Sequence, residues 1–189
     1  DRIDRLITDI SDASRLDAEL SRSVMTRVDI AALLATLAEV HAATAPAGSA
    51  ALSLDVEPGD DGLIVQGIDD RIGQVVSNVL ANAMSFSPAG GTVRIAAHAA
   101  PGAEPAVEIV VEDEGPGFPA DTFDRVFERF YTSRPRREAF GKHSGLGLSI
   151  SRQIVEAHRG RIWAENRLGP QGEIAGGRIV IRLPRGTAA

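Results

Sequence analysis

The clearest periodic pattern in the chain is a helical one between residues 70 and 86. Apolar side chains recur there at three- and four-residue intervals and fall into one sector of a helical wheel. This predicted core face consists of Ile72, Val75, Val76, Val79, Leu80 and Ala83. Asp69 or Asp70 is placed to cap the start, and "SPAGG" ends the pattern. We therefore predict a helix that buries one face and ends near Phe86.

Alternating and apolar runs predict β-strands on both sides of this helix. "ALSLDV" and "LIVQ" precede it, separated by the turn sequence "PGDDG". "TVRIAAHA" and "AVEIVVED" follow it, and "RIWAEN" and "GRIVIRLP" come last. Further helices are predicted from Ile30 to Ala43, capped by Asp29, and from about Leu146 to Ala157. This order predicts an α+β fold in two layers, with a mixed sheet that carries helices on one face.

The first 22 residues carry a heptad-like apolar stripe that includes Ile3, Leu6, Ile10 and Ala13. The stripe predicts either a helix packed on its own domain or one helix of a hairpin that dimerises. Because the chain opens within this pattern and without Met, we expect it to be a segment of a longer protein. "ATAPAGSA" forms a short linker-like loop after the second helix.

Composition and charge narrow the class of protein. The chain has 189 residues, of which 43% are hydrophobic and 24% are charged, enough for one globular domain with a core. The net charge of −6 argues against a nucleic-acid partner. No apolar run is long enough to span a membrane, so we expect no direct membrane contact. The absence of cysteine excludes disulfides and suits a reducing compartment.

Two asparagines lie one turn apart in "SNVLANAMSF", although asparagine is a poor helix former. On the wheel, Asn78 and Asn82 fall in a polar stripe with Gln74 and Ser85, beside the core face. The asparagines either cap a nearby loop or form a polar ledge in a cleft. An amide oxygen suits Mg²⁺, which keeps waters and shares phosphate oxygens.

Two glycine-containing segments offer the rest of such a site. In "EDEGPGF" an acid, Asp113, ends a strand and is followed by Gly115 and Gly117. The acid could accept a hydrogen bond from an exocyclic amine such as that of adenine, although a tight turn gives the same string. In "HSGLGLSIS" Gly145 and Gly147 precede a helix, where free N–H groups bind phosphate. A flexible hinge is the alternative there.

The order of these motifs carries a resemblance. Asn-x-x-x-Asn on a helix, Asp-x-Gly-x-Gly after a strand, "FDRVFERFY" and then Gly-Leu-Gly-Leu resemble the ATPase domain of sensor histidine kinases. The resemblance implies an α/β sandwich of the Bergerat type, shared with gyrase, Hsp90 and MutL. "DISDASRLDAEL" and "HSGLGLSIS" further resemble ChvG-type envelope-sensing kinases of alphaproteobacteria. By this resemblance, residues 1–28 contain the second helix of a dimerisation and phosphotransfer hairpin with its linker. Residues 29–189 are then the ATP-binding catalytic domain, with an ATP lid at about 119–144.

The resemblance also implies roles for individual residues. Asn82 matches the Mg²⁺ ligand, and Asn78 matches the catalytic position at which gyrase-like ATPases hold a glutamate that activates water. Asp113 matches the acid that recognises adenine in a pocket shaped by Gly115 and Gly117. The other implied nucleotide contacts are Tyr131, Arg134, Lys142, Ser144, Gly145, Leu146 and Gly147. The lid is expected to be anchored by Phe123, Phe127 and Phe130.

Several positions depart from the family pattern. Ser85 and Phe86 stand where lysine and tyrosine are common, Thr132 where arginine is frequent, and His143 where the loop has its first glycine. Arg134, Arg136, Arg137 and Lys142 could replace the missing cations, or could form a solvated loop.

The family's activity is transfer of the γ-phosphoryl group of ATP to a histidine, for relay to a response regulator receiver domain. Its acceptor histidine precedes an acid. None of the histidines in this chain, His41, His98, His143 and His158, does so. We therefore expect the acceptor on another segment, with a homodimer formed by the hairpin and a cytoplasmic position in an inner-membrane sensor. The alternatives are a hydrolysing ATPase of the gyrase or MutL kind and a non-catalytic docking module.

Overall fold

The computed structural model describes residues 22–57, 59, 62–100, 102, 104–131 and 145–186. The predicted hairpin helix and the part of the lid between residues 132 and 144 lie outside this range. No helix in the described part of the chain is both long and apolar enough to cross a membrane.

Seven β-strands, three α-helices and one 3₁₀ turn form in the described ranges. The strands are β1 (Thr26–Asp29), β2 (Ala51–Glu57), β3 (Ile64–Gly67), β4 (Thr92–Ala100), β5 (Ala106–Glu112), β6 (Arg161–Leu168) and β7 (Ile174–Pro184). The helices are α1 (Ile30–Thr44), α2 (Asp69–Phe86) and α3 (Gly147–Ala157), and the 3₁₀ turn is Arg125–Phe127.

A five-stranded mixed sheet supports the site, with the strand order β2-β4-β5-β7-β6. Strands β2 and β4 are parallel, and the other neighbours are antiparallel. Alternate side chains of these strands, such as Ile95, Ile109 and Ile181, are fully buried in one core with the apolar faces of the helices. The predicted α+β class, a mixed sheet with helices on one face, is confirmed.

The opposite face of the sheet alternates charged and apolar rows across the strands. One row pairs Glu112 and Glu165 with Arg178, whose guanidinium nitrogens lie 3.6 and 3.7 Å from their carboxylates. The next row contains Val110 and Val180, which are buried although they face away from the helices. Long charged side chains keep their heads in water while their stems cover apolar surface, so the ionic rows shield the valines.

A small second sheet joins the start of the described chain to the domain. Strand β1 pairs antiparallel with β3, and within β1 only Val28 is buried. The sequence analysis predicted no strand here. The boundary drawn at residue 29 falls at the end of β1, so the segment just before it is hydrogen-bonded to β3 of the following domain. The division into two domains stays a prediction.

Helix α2 buries all six residues of its predicted core face. The prediction that Asp69 or Asp70 caps it was wrong, because both lie in the first turn and Ile68 holds the cap position. The Ile68 N–H donates instead to Nε2 of buried His158 at 3.0 Å, and His158 Nδ1 lies 2.7 Å from the Ile154 carbonyl oxygen. Since Ile68 can only donate, Nδ1 carries the ring proton. The cap therefore comes from a residue 90 positions away in the chain.

Candidate functional site

Helix α2 places its polar stripe at the edge of the core. Asn78 and Asn82 are both half-buried, as the wheel predicted. The backbone carbonyl of Asn82 accepts a hydrogen bond from the Ser85 hydroxyl at 2.8 Å. Within the described part of the chain, the Asn82 side-chain amide has no hydrogen-bond partner. Its carbonyl oxygen is therefore available to a ligand at the surface of the helix.

Asn78 is instead tied to the start of helix α3. Its Nδ2 lies 3.2 Å from the Gly147 carbonyl oxygen and 3.4 Å from Ser151 Oγ. Gly147 also presents its Cα to this asparagine, because a Cβ added there would lie 3.7 Å from Asn78 Cγ. The alternative that an asparagine binds a neighbouring loop therefore holds in part for Asn78. At this contact the asparagine motif of α2 meets the glycine-containing segment that precedes α3.

The N-terminus of helix α3 presents its first backbone N–H groups beside α2. The helix begins at Gly147 without a side-chain cap, and the Leu146 side chain is buried beneath it. Gly145, just before, packs against the backbone of Phe130 and Tyr131, and its carbonyl accepts from the Phe130 N–H at 3.0 Å. The first-turn N–H groups of a helix have no intrahelical partner, so this end can bind an anion.

Asp113 lies at the end of β5 and is 8% exposed. Its Oδ1 accepts hydrogen bonds from the N–H groups of Gly115 at 2.8 Å and Gly177 at 2.9 Å. A Cβ added at Gly177 would lie 2.7 Å from Oδ2, so only glycine leaves that oxygen its space. Within the described residues Oδ2 forms no hydrogen bond. One carboxylate oxygen is therefore fixed by the backbone and the other can accept from a ligand.

The Asp113 loop contacts the far end of the asparagine helix. A Cβ added at Gly115 would lie 2.8 Å from the Phe86 carbonyl oxygen, and the Glu114 carboxylate accepts from the Thr92 N–H at 3.0 Å. Phe86 follows Asn78 by eight residues, or about 12 Å along the helix axis. The start of α3 thus lies beside the middle of α2, and the loop that contains Asp113 lies beside the end of α2. This spacing suits an elongated anionic ligand.

Asn166 on β6 holds the same loop from the other side, and the sequence analysis missed it. Its Oδ1 accepts from the Phe118 N–H at 2.7 Å and its Nδ2 donates to the Phe118 carbonyl oxygen at 2.8 Å. Gly117, in the left-handed region with φ +72°, leaves room for this side chain, since a Cβ there would lie 2.6 Å from Asn166 Oδ1. The alternation of "RIWAEN" puts Asn166 on the inward face with Ile162, and a polar residue at that position was the available signal.

Replacing Asn166 by alanine is expected to lower the free energy of unfolding by about 1–3 kcal/mol, because two backbone groups of Phe118 lose their partners. Urea denaturation measures this change. Asn166→Asp keeps the acceptor for the Phe118 N–H but sets a carboxylate oxygen against the Phe118 carbonyl, so it should not restore wild-type stability. An unchanged midpoint in Asn166→Ala would contradict the bidentate contact.

The segment before residue 132 is anchored by fewer phenylalanines than predicted. Phe127 is buried, with the Arg152 guanidinium 4.6 Å from its ring centroid, and Phe123 packs edge-on against Phe118. Phe130 is 52% exposed and has a left-handed backbone, so its predicted anchoring role was wrong.

The other residues predicted to contact nucleotide from the lid fall partly inside and partly outside the described ranges. Tyr131 is half-buried, and the Arg125 guanidinium lies 5.2 Å from its ring centroid. Arg134, Lys142 and Ser144 lie outside the described residues, so the structure does not test their predicted roles.

The donor set of the described residues fits a weakly held hard cation. They contain no group of three or more histidine, cysteine or acidic side chains that could hold a metal ion. A Mg²⁺ ion usually keeps several waters and shares substrate phosphates, so it needs few protein ligands. The Asn82 amide, one turn after Asn78 on α2 and without a hydrogen bond in the described part of the chain, is compatible with that mode of binding.

Comparisons with known proteins agree with this arrangement. Residues 67–187 match the family model described as "Histidine kinase-, DNA gyrase B-, and HSP90-like ATPase". The sensor protein ChvG of Rhizobium meliloti (strain 1021) is 47% identical over 98% of this chain and 32% of its own length. The chain thus spans about a third of that curated relative. The predicted resemblance to ChvG-type kinases is confirmed.

Solved structures show the same fold. The mycobacterial sensor histidine kinase MprB superposes with a TM-score of 0.70 at 31% identity, over 87% of this chain and 100% of that one. Full-length ShkA in complex with AMPPNP superposes with a TM-score of 0.74 at 27% identity, over 98% of this chain and 37% of that one. The motifs, the fold and the family match agree, and the chain belongs to the family of histidine kinase-, DNA gyrase B- and HSP90-like ATPases.

Proposed function

We propose that this chain is the ATP-binding catalytic region of a sensor histidine kinase. It binds ATP with Mg²⁺ and delivers the γ-phosphoryl group to a histidine on another segment. The family match and the curated relatives, which are sensor kinases, support the proposal. A structural relative that covers nearly the whole chain holds the nucleotide analogue AMPPNP.

The observation that carries the choice of a kinase over a hydrolysing ATPase is the side chain at position 78. A hydrolase needs a general base there to activate water, and an amide cannot accept a proton at neutral pH. In this structure the Asn78 Nδ2 is also engaged by the Gly147 carbonyl. Water in the site therefore stays poorly activated, while the incoming imidazole brings its own lone pair.

In the proposed complex, Asp113 Oδ2 accepts a hydrogen bond from the exocyclic amine of adenine, and the phosphates meet the N–H groups from Gly145 to Gly147. Asn82 ligates Mg²⁺, which neutralises charge on the phosphate oxygens. Tyr131, Arg134, Lys142 and Ser144 contact the nucleotide from the lid. In this proposal the basic residues Arg134, Arg136, Arg137 and Lys142 replace the cations that are absent at Ser85 and Thr132.

We propose that the phosphoryl acceptor lies on another segment, because none of the four histidines, His41, His98, His143 and His158, precedes an acid. His158 is also buried with both ring nitrogens hydrogen-bonded, so it offers no free nucleophile. We propose that residues 1–28 contain the second helix of a dimerisation and phosphotransfer hairpin together with its linker, and that the catalytic domain begins at residue 29. The receiver domain of a response regulator then takes the phosphoryl group. The whole protein is proposed as a homodimer whose catalytic part is cytoplasmic, attached to an inner-membrane sensor.

Two assays test the proposal on this chain. Calorimetry should show ATP binding that requires Mg²⁺ and is tighter than GTP binding. Incubation with labelled ATP should leave the chain unlabelled and release phosphate slowly, whereas adding a hairpin that carries the acceptor histidine should yield labelled hairpin. Fast hydrolysis without the hairpin would favour a gyrase-like ATPase, and absence of ATP binding would favour a docking module.

A further inference from the structure

The geometry points to Ser151 as a positioning residue that sets the orientation of the Asn78 amide. The inference rests on the proposed function, because it assigns a role at the same nucleotide site. Ser151 lies one turn into helix α3 and is fully buried, although it carries a hydroxyl. A buried polar group needs partners, so its contacts show what it does.

The contacts among Asn78, Gly147 and Ser151 have only one consistent assignment. The Gly147 carbonyl oxygen accepts and cannot donate, and Ser151 Oγ lies 2.9 Å from it, so the hydroxyl proton points to that oxygen. The Asn78 atom 3.2 Å from the same carbonyl must also be a donor, which fixes it as Nδ2 rather than Oδ1. Ser151 Oγ, having donated its proton, accepts the second Asn78 contact at 3.4 Å.

This three-residue network has a consequence for the ligand-facing atom. An asparagine amide can rotate by 180° about its last bond, exchanging a donor for an acceptor at the same place. Here two acceptors, the Gly147 carbonyl and Ser151 Oγ, both bind the NH₂ group. The Asn78 carbonyl oxygen is therefore held as the acceptor for a donor outside α3, such as a metal-bound water or an incoming N–H. Without Ser151, only the shared Gly147 carbonyl opposes rotation.

A matched control exists on the same helix. Ser149 also donates its hydroxyl to a backbone carbonyl, that of Leu146 at 2.8 Å, but it has no contact with Asn78. Ser149→Ala therefore removes the same chemical group from α3 without touching the network. Any effect seen in Ser151→Ala and absent from Ser149→Ala reports on Asn78 rather than on serine content or helix propensity.

The experiment is a double-mutant cycle read by calorimetry with Mg-ATP. Ser151→Ala should weaken binding about 3- to 10-fold, the range for losing one neutral hydrogen bond. Ser149→Ala should change it less than about 2-fold. In an Asn78→Ala background Ser151→Ala should have no further effect, because contacting residues are not additive. Wild-type affinity in Ser151→Ala, or an equal loss in both backgrounds, would overturn the positioning role.

A measurement without nucleotide keeps this inference separate from the proposed function. In the NMR spectrum of the ligand-free chain, the Asn78 side-chain NH₂ protons should exchange slowly with water and should exchange faster in Ser151→Ala. They should be unchanged in Ser149→Ala. If the wild-type chain binds no ATP, the proposed function fails, but the exchange measurement still tests whether Ser151 fixes the orientation of the Asn78 amide. Equal exchange in wild type and Ser151→Ala would refute it.

Discussion

Replacing Asn82 by alanine is expected to abolish labelling of an added acceptor hairpin by this chain while leaving its fold intact. Phosphoryl transfer depends on positioning and on electrostatic stabilisation of the transferring group. Losing one such stabilising group costs roughly 100- to 1,000-fold in rate. The Asn82 amide makes no hydrogen bond within the described residues, so its removal costs little stability. Transfer of labelled phosphate to the hairpin measures the effect.

The matched variant for this experiment is Asn82→Asp, which keeps an oxygen ligand at the same place on α2. It should retain part of the labelling activity, and its dependence on Mg²⁺ concentration should differ from that of the wild type. Circular dichroism and urea denaturation establish that both variants are folded. Labelling by Asn82→Ala at the wild-type rate would refute the proposal that Asn82 ligates Mg²⁺.

The second large effect is expected at Asp113. Asp113→Asn should weaken ATP binding by roughly 1–3 kcal/mol, because the oxygen that faces the ligand becomes a donor that opposes the adenine amine. Its other oxygen can still accept from the N–H groups of Gly115 and Gly177, so the loop is preserved. Calorimetry with ATP and GTP reads the change, and the preference for ATP should shrink.

Glu112→Gln provides the control for Asp113→Asn, since it removes a carboxylate one residue earlier on the opposite face of the sheet, beside Arg178. ATP affinity should stay within about 2-fold of the wild type, because this half-buried ion pair lies on the face of the sheet away from the proposed nucleotide site. An equal loss in both variants would indicate a general charge effect. GTP binding as tight as ATP binding in the wild type would refute adenine recognition by Asp113.

The elements that the sequence predicted well are those whose burial follows a local period. The core face of α2 was complete, and Asp29 does cap α1 by accepting from the Ala32 N–H. Strand β1 was missed because only Val28 of its four residues is buried and its partner β3 lies far along the chain. A pattern that reports burial cannot show pairing between distant segments.

The parts of the site that could not be predicted are contacts between distant segments. His158 caps α2, Asn166 holds Phe118, and Ser151 binds Asn78, in each case from far along the chain. Each shows in the sequence as a polar residue in an otherwise apolar face, which indicates a buried partner without naming it. Phe130 shows the converse, because an apolar residue in an aromatic-rich segment is exposed where the backbone turns.

The parallel pairing of β2 with β4 makes the order of folding events depend on the asparagine helix. Parallel neighbours need a long crossover connection, and here that connection contains β3 and α2. Strand β2 can pair with β4 only when the two ends of this long connection come together. The loss of chain entropy in that step slows refolding. Helix α2 therefore has two separate tasks. Its apolar stripe packs into the core that this sheet edge completes, and its polar stripe is left for the proposed nucleotide site.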